Sequence, residues 1–234
     1  MKHFCRYFLM AAVPLVCLPF AYAQSAVDIG IGFGAAQDSA ATQGIDPNTL
    51  LGCAPGSNPT GSGCSPTPKL NSFFMGVGGD LMLWNKFGVG AEVNFQPAKS
   101  NYLLLSPALP QFGQGAITLQ SRLTLYDFNG IYQPYKNKRV ALKVEGGIGG
   151  ANLRFYESGT SITGLTGAQY FSQYFASSNH FQVHAGVGAQ IYITEHVFIR
   201  PQFDLHWVNN FYQYGRGSVL EETVWLGYTF GGGQ

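Results

Sequence analysis

From Val27 to Phe230, apolar side chains and small or polar ones change places at almost every step. In FGVGAEVNFQ, Phe87 to Gln96, an extended chain puts Phe87, Val89, Ala91, Val93 and Phe95 on one face and Gly88, Gly90, Glu92, Asn94 and Gln96 on the other. One face suits hydrocarbon and the other suits water or polar partners. The period of two recurs in eight segments: VDIGIGFG from Val27, FFMGVGGDLML from Phe73, the Phe87 stretch, ITLQSRLTLYDFNGIYQ from Ile117, VALKVEGGIG from Val140, HFQVHAGVGAQIYI from His180, VFIRPQFDLHW from Val197 and ETVWLGYTF from Glu222. The alternation slips near Tyr126 to Phe128, which predicts a bulge, and again near Gly149 to Ala151.

Connections alternate in length. Polar, Gly/Pro-rich stretches such as Ala35 to Asn71, Pro97 to about Gly115 and Glu157 to about Ala176 read as long loops, whereas Trp84 to Lys86, Pro134 to Lys138 and Thr194 to His196 read as tight turns. The pattern predicts an all-β, eight-stranded antiparallel up-and-down meander with every short turn at one end.

The polar face decides what surrounds the strands. It is mostly glycine with isolated Asp28, Asp80, Glu92, Arg122, Lys143, Glu145, Arg154, Arg200 and Asp204, a set that suits a narrow lumen in which acids pair with bases. Phe74, Tyr192, Phe198 and Trp225 fall on the same face and help to fill it. The apolar face carries no charge across the Phe87, His180 and Val197 segments, as a lipid-facing wall requires. Trp84, Tyr102, Tyr132, Tyr135, Tyr192, Trp207, Tyr212, Tyr214 and Tyr228 lie near segment ends, where interfacial girdles would sit. A sheet in hydrocarbon must close to satisfy its backbone, so the expectation is a transmembrane β-barrel.

The leader MKHFCRYFLMAAVPLVCLPFAYAQ joins Lys2 and Arg6 to a short apolar run and an Ala21-Tyr22-Ala23 cleavage signature, which predicts a signal peptide over 1–23. The barrel is expected over 24–230 and a disordered tail over 231–234. Taking Lys2 and Arg6 from the 13 basic residues leaves 11 against 12 acids, a net charge of −1, and no basic patch, so nucleic acid is not an expected partner. Cys5 and Cys17 leave with the leader. Cys53 and Cys64 remain within a Pro/Gly-rich loop and are expected to form a disulfide in an oxidising compartment.

Hydrolysis would need a nucleophile, a base and an orienting group, and Ser177, Ser178, His180, His184, Asp204 and His206 are the nearby candidates. None lies in a specific motif, and an inward histidine beside Gln and Asp suits a hydrogen-bonded lumen, so no enzyme is expected. His180 and His184, four apart on a strand, lie roughly 13 Å from each other, too far to share one ion, and the Gly-rich runs lack the lysine and helix of a phosphate loop. No metal or cofactor is expected.

The final strand, Val224 to Phe230, alternates outward hydrophobics and ends in an aromatic. In this and in its meander the chain resembles the small outer-membrane β-barrel proteins of Gram-negative bacteria, the superfamily of the OmpA transmembrane domain and the OmpW-like barrels. The resemblance covers Gln24 to Phe230 and implies an outer-membrane location. Leu226, Gly227, Tyr228 and Phe230 are similar to the signal read by the barrel assembly machinery, although Gly231 to Gln234 follow where the signal normally ends the chain. Outer-membrane lipid, lipopolysaccharide, that machinery and another outer-membrane protein are the partners it implies. No further domain is expected after Phe230, so the resemblance is not expected to extend to peptidoglycan anchoring. Eight strands leave a lumen that side chains can fill, which favours a structural or interaction module. A narrow channel or carrier for small apolar solutes is the alternative, and a lipid-modifying enzyme the second.

Overall fold

The computed structural model describes residues 26–38, 70–105, 114–163, 167–211, 213–214 and 217–231. The leader, the Cys53–Cys64 loop and the last three residues lie outside the described residues. Among the described residues nine strands follow one another: β1 (Val27–Asp38), β2 (Asn71–Met82), β3 (Phe87–Phe95), β4 (Ser100–Leu105), β5 (Gln114–Lys136), β6 (Val140–Thr163), β7 (Gly167–Tyr192), β8 (Val197–Val208) and β9 (Ser218–Phe230). Every pairing is antiparallel. The ring runs β1, β2, β3, β5, β6, β7, β8, β9 and closes through β9 on β1, so eight strands form the barrel. β4 pairs with β5 above the end of β3, which makes it the upper part of the third wall strand, set off by Gln96 to Lys99.

Parity along each strand assigns the faces. On β7 the outward positions from Phe181 to Ile193 are Phe181, Val183, Ala185, Val187, Ala189, Ile191 and Ile193, while Gln182, His184, Gln190 and Tyr192 are buried inside. Twelve steps cover about 40 Å along the strand, or about 30 Å along the normal at a tilt of roughly 40°, the thickness of a hydrocarbon core. Large apolar side chains on this wall are open to the surroundings, among them Ile29 at 54%, Phe87 at 54% and Phe128 at 67% exposed. Such a belt makes sense only against lipid. Trp84, Tyr132, Tyr135 and Tyr228 face outward at the short-turn end, as a girdle does, and Trp207 does so near the other. Tyr102, Tyr192 and Tyr214 do not, for they pack inside, where Tyr102 meets Phe155 and Tyr214 edge to face.

Three expectations are corrected. First, neither slip is a bulge: the β5–β6 register runs unbroken from Ile117↔Gly159 to Tyr132↔Val144. What changes is the chemistry of the faces. Leu123, Leu125, Ala151 and Leu153 point inward and Thr124, Asn152 and Arg154 outward, because above this level the wall leaves lipid for water and the apolar side chains turn into a core. Second, Glu157 to Ala176 is not a loop; β6 and β7 pair up to Thr163↔Gly167, roughly 40 Å along the strands above Ala151, with a bulge at Phe175. Third, Pro97 to Gly115 contains β4 and the start of β5.

The upper core joins Ala36, Leu70, Phe74, Leu123, Leu125, Ala151, Leu153, Val208, Phe211, Tyr214 and Val219. The connection after β8 folds over it, turning at Asn210 (φ 55°) and Gly217 (φ 71°), left-handed conformations that glycine adopts freely and asparagine tolerates. The Tyr214 hydroxyl lies 2.6 Å from Ser121 Oγ, and burial pushes its pKa up to about 12. Lower in the lumen, Trp225 lies flat against Gly32 and Gly76, where any Cβ would meet its ring at 2.9 and 2.8 Å.

This packing generates two predictions. Gly32→Val should destabilise the barrel by about 1–3 kcal/mol by displacing Trp225, whereas Gly130→Val, whose Cβ would meet nothing nearer than 3.6 Å, should leave unfolding in denaturant unchanged. The Tyr214 phenol ionises more readily unfolded than folded, so its contribution holds below about pH 10 and falls away towards about 12. A pH-dependent melting series should show that loss in the native protein and not in Tyr214→Phe.

Candidate functional site

The middle of the lumen is polar and closed at both ends. Below it Ala26, Met82 and Ile131 form one apolar cluster and Ala141, Tyr192 and Phe198 another, and above it lies the eleven-residue core already described. Inward parity brings β1, β2, β3, β5, β6, β7, β8 and β9 to this interior, and the strands' short turns set the height of each side chain.

At the lowest polar level Asp28 accepts from Thr229 Oγ1 at 2.6 Å and from Gln190 Nε2 at 3.1 Å. Above it Asp80 takes both cations, with Lys143 Nζ at 2.8 Å and Arg200 Nη1 at 2.7 Å from the same Oδ2. Arg200 Nη2 donates to Glu92 at 3.1 Å, and Lys143 Nζ lies 2.6 Å from Glu145 and 3.7 Å from Glu92. Arg200 also lies over the Trp225 ring, 5.2 Å from its centroid. Gln202 Nε2 stands where three carboxylates converge, 2.7 Å from Glu145, 3.3 Å from Glu92 and 3.0 Å from Asp204.

One level higher His184 Nε2 lies 3.0 Å from Asp204 and Nδ1 lies 3.0 Å from Asn129 Oδ1. Its ring stacks on His206 at 4.7 Å, the two being register partners across β7 and β8. His206 in turn lies 3.6 Å from Asp127 and 3.3 Å from Glu221. All of these groups are nearly or fully buried.

Of the nine charges expected in the lumen, seven are there: Asp28, Asp80, Glu92, Lys143, Glu145, Arg200 and Asp204. Arg122 and Arg154 are not. They are register partners on the outward face, above the belt, because the change of surroundings at Leu123 and Ala151 turns the polar positions outward there. Asp127 and Glu221 join the lumen without having been expected. Asp127 lay hidden in the supposed bulge, and Glu221 stands one residue before the segment that hydrophobicity delimits.

Seven carboxylates (Asp28, Asp80, Glu92, Asp127, Glu145, Asp204, Glu221) therefore face two permanent cations and two imidazoles. Ligand atoms of Glu145, His184 and Asp204 lie within 4.8 Å of one another, as do those of Asp80, Glu92 and Glu145. Gln202, Lys143 and Arg200 already occupy the space between them. Of the residues weighed for hydrolysis, Ser178 Oγ lies 2.9 Å from His180 Nε2, but the group behind Nδ1 is the Asn209 carbonyl at 3.1 Å and not a carboxylate.

The imbalance gives the cations and the acids opposite fates on substitution. Lys143→Met or Arg200→Met should cost about 3–5 kcal/mol, because each leaves buried carboxylates without a partner. Glu221→Gln should be neutral or stabilising, since among the described residues its ion-pair neighbour is the His206 ring at 3.3 Å and neither Lys143 nor Arg200 pairs with it. Equal losses for all three in equilibrium unfolding would show that the network does not distinguish scarce charges from surplus ones.

Comparison with known proteins accords with this architecture. Residues 8–230 match the model of the outer membrane protein beta-barrel domain family. No curated protein matches the chain in sequence. Among solved structures it is similar to a major outer membrane protein from Thermus thermophilus, with TM-score 0.50 and 12% identity over 88% of this chain and 99% of that one. Ail of Yersinia pestis, crystallised with the heparin analogue sucrose octasulfate, aligns at 0.49 and 13% over 88% and 99%. Neisserial surface protein A aligns at 0.49 and 10% over 89% and 98%. With a family match over almost its whole length and a closed eight-stranded wall, the chain belongs to the outer membrane protein β-barrel domain family and is a small β-barrel of the Gram-negative outer membrane.

Proposed function

We propose that this barrel is a structural and interaction module of the outer membrane and not a conduit. One observation carries the reading: the lumen is blocked at three successive levels, by the apolar floor, by the salt-bridged middle and by the core beneath the β8–β9 connection. An eight-stranded wall leaves an interior that side chains can fill, and these side chains fill it. Contacts then belong to the outside. Short turns face the periplasm and long connections the exterior in barrels of this kind, which puts the tall β5–β6–β7 sheet outside the cell. That sheet presents Tyr170 at 73%, Tyr174 at 57% and Phe175 at 61% exposed. Among the described residues β7 has no strand partner on its second edge above Gln182, the kind of edge that receives another extended chain. Another outer-membrane or external protein is the partner this surface fits. The Ser178–His180 pair we read as structural, for want of an ionic orienting group, and the outward Leu226, Tyr228 and Phe230 as the part of β9 offered to the assembly machinery.

Planar-bilayer recording of the purified protein tests the reading. No discrete conductance is expected, and Phe211→Ala should not create one because the charged middle stays closed. Reproducible single-channel steps that change with Lys143→Met would replace the module by a channel.

A further inference from the structure

Arg122 and Arg154 stand directly opposite each other on β5 and β6, on the outward face, and the exposed Lys99 immediately precedes Ser100, whose register partner Ser121 is the chain neighbour of Arg122. Like charges placed across a strand pair repel, so such a row calls for an anion. No carboxylate among the described residues answers it. The row's polar neighbours are Gln120, Asn101, Asn152, Asn179 and Ser177, and the outward Glu222 belongs to β9, on the far side of the ring.

The guanidinium groups are held in place. Arg122 donates through Nε to the Gln96 carbonyl at 2.6 Å and through Nη2 to the Pro97 carbonyl at 3.1 Å, satisfying the backbone where β3 gives way to β4. Arg154 Nε donates to Asn152 Oδ1 at 2.9 Å, and Asn152 Nδ2 donates to Asn179 Oδ1 at 2.6 Å. Among the described residues, Nη1 of Arg122 and both terminal nitrogens of Arg154 make no such bond and remain for a ligand. Lys99 rests its ammonium over the Tyr156 ring at 4.1 Å with Ser172 Oγ at 3.2 Å.

Height identifies the anion. On β5 the last outward aromatic is Tyr126, four residues below Arg122, and on β7 the continuous outward apolar run that starts at Ile193 ends at Phe181, four residues below Ser177, the register partner of Arg154. Four residues rise roughly 10 Å along the normal at the usual tilt, which puts the arginines' Cα atoms just outside the hydrocarbon edge and their long side chains within reach of the headgroup layer. We propose that Lys99, Arg122 and Arg154 form a binding site for the phosphate groups of a phosphorylated glycolipid in the outer leaflet, with its acyl chains against Tyr126, Phe128 and Ile148 below. Arginine's planar fork suits phosphate oxygens, and two forks side by side suit a doubly charged group. The site depends on the outer-membrane placement of the barrel and stands whether or not the β7 edge docks a protein.

Titration of the full-length detergent-solubilised protein with bisphosphorylated lipid A, read by native mass spectrometry, tests this against the same lipid with its phosphates removed. The phosphorylated form should bind at least about tenfold more tightly. Lys99→Gln and Arg154→Gln should each lower that affinity about fivefold, the factor carried by one basic residue at a charged membrane surface, and neither substitution touches the barrel ladder. Arg122→Lys keeps a charge and loses the fork, so it should weaken binding while the barrel stays folded by its gel migration. Lys138→Gln, in the turn at the opposite end, should change nothing. Equal affinity for the two lipids, or wild-type affinity in Lys99→Gln and Arg154→Gln, would overturn the site. Inorganic pyrophosphate bound as tightly as the lipid would show an anion site that does not recognise lipid, and would overturn the proposal as well.

Discussion

Hydrocarbon offers no hydrogen bonds, so each backbone group of the belt must find its partner in a neighbouring strand. The pairing of β1 with β9, continuous from Val27↔Phe230 to Asp38↔Val219, is where that requirement is met, because it removes the two edges an open meander would leave. Face assignment follows from the closed ring. Each strand's parity is locked to its neighbours', and a slip by one residue would turn Ile29 or Val187 into the lumen and Asp28 or Gly188 into lipid. Pro201 on β8 has no N–H to give. The β7–β8 ladder skips its level, yet Gly188↔Gln202 and Ile191↔Ile199 keep one register on either side of it.

A small closed ring leaves little room, and the lumen's composition reflects how that room is divided. Trp225 takes the level of Gly32 and Gly76, and at Gly186 a Cβ would strike the Asp204 and Glu145 carboxylates, so glycine on one wall is the space for a large or charged side chain on another. Removing charges from water costs several kcal/mol each, and only the convergence of Asp80, Glu92 and Glu145 on Lys143 and Arg200 offsets it. On the proposed reading, a network held that tightly, with apolar floor and ceiling, keeps solute out of the lumen. It is a good brace, since Lys143 on β6 and Arg200 on β8 both reach Asp80 on β2 and Glu92 on β3 across the barrel.

The period of two made the wall legible: strand number, ring order and inward faces all rest on it, and seven of nine expected lumen charges lie where parity puts them. Periodicity does not reveal what lies beyond a face, however. At Leu123 and Ala151 the strand keeps its parity and exchanges its surroundings, and in sequence that is indistinguishable from a bulge. Arg122 and Arg154 were misplaced for this reason alone. Glu157 to Ala176 is illegible for a related reason, since small and polar residues fall on both faces there and leave no apolar face to mark the period, and the hairpin is held by backbone pairing and a few aromatic contacts such as Tyr156 with Tyr174. The stacked His184 and His206, by contrast, follow directly from a turn centred on Glu195.

The exchange of faces also divides the molecule physically. Inside, the apolar core begins at Leu125 and Ala151; outside, the polar surface begins at Thr124 and Asn152, and Thr124↔Asn152 and Leu125↔Ala151 are adjacent rungs of one ladder. Two independent markers, one for each face, thus meet at a single level, as they must if one plane separates lipid from water. Below that plane the strands need hydrocarbon outside, because their exposed side chains are apolar and their interior is charged. Above it the sheet is built like a soluble one, with Leu123, Leu153, Phe74 and Tyr214 packed together beneath a polar surface. The upper part therefore carries its own hydrophobic stabilisation, and can project into water surfaces that the lipid-bound wall could never present.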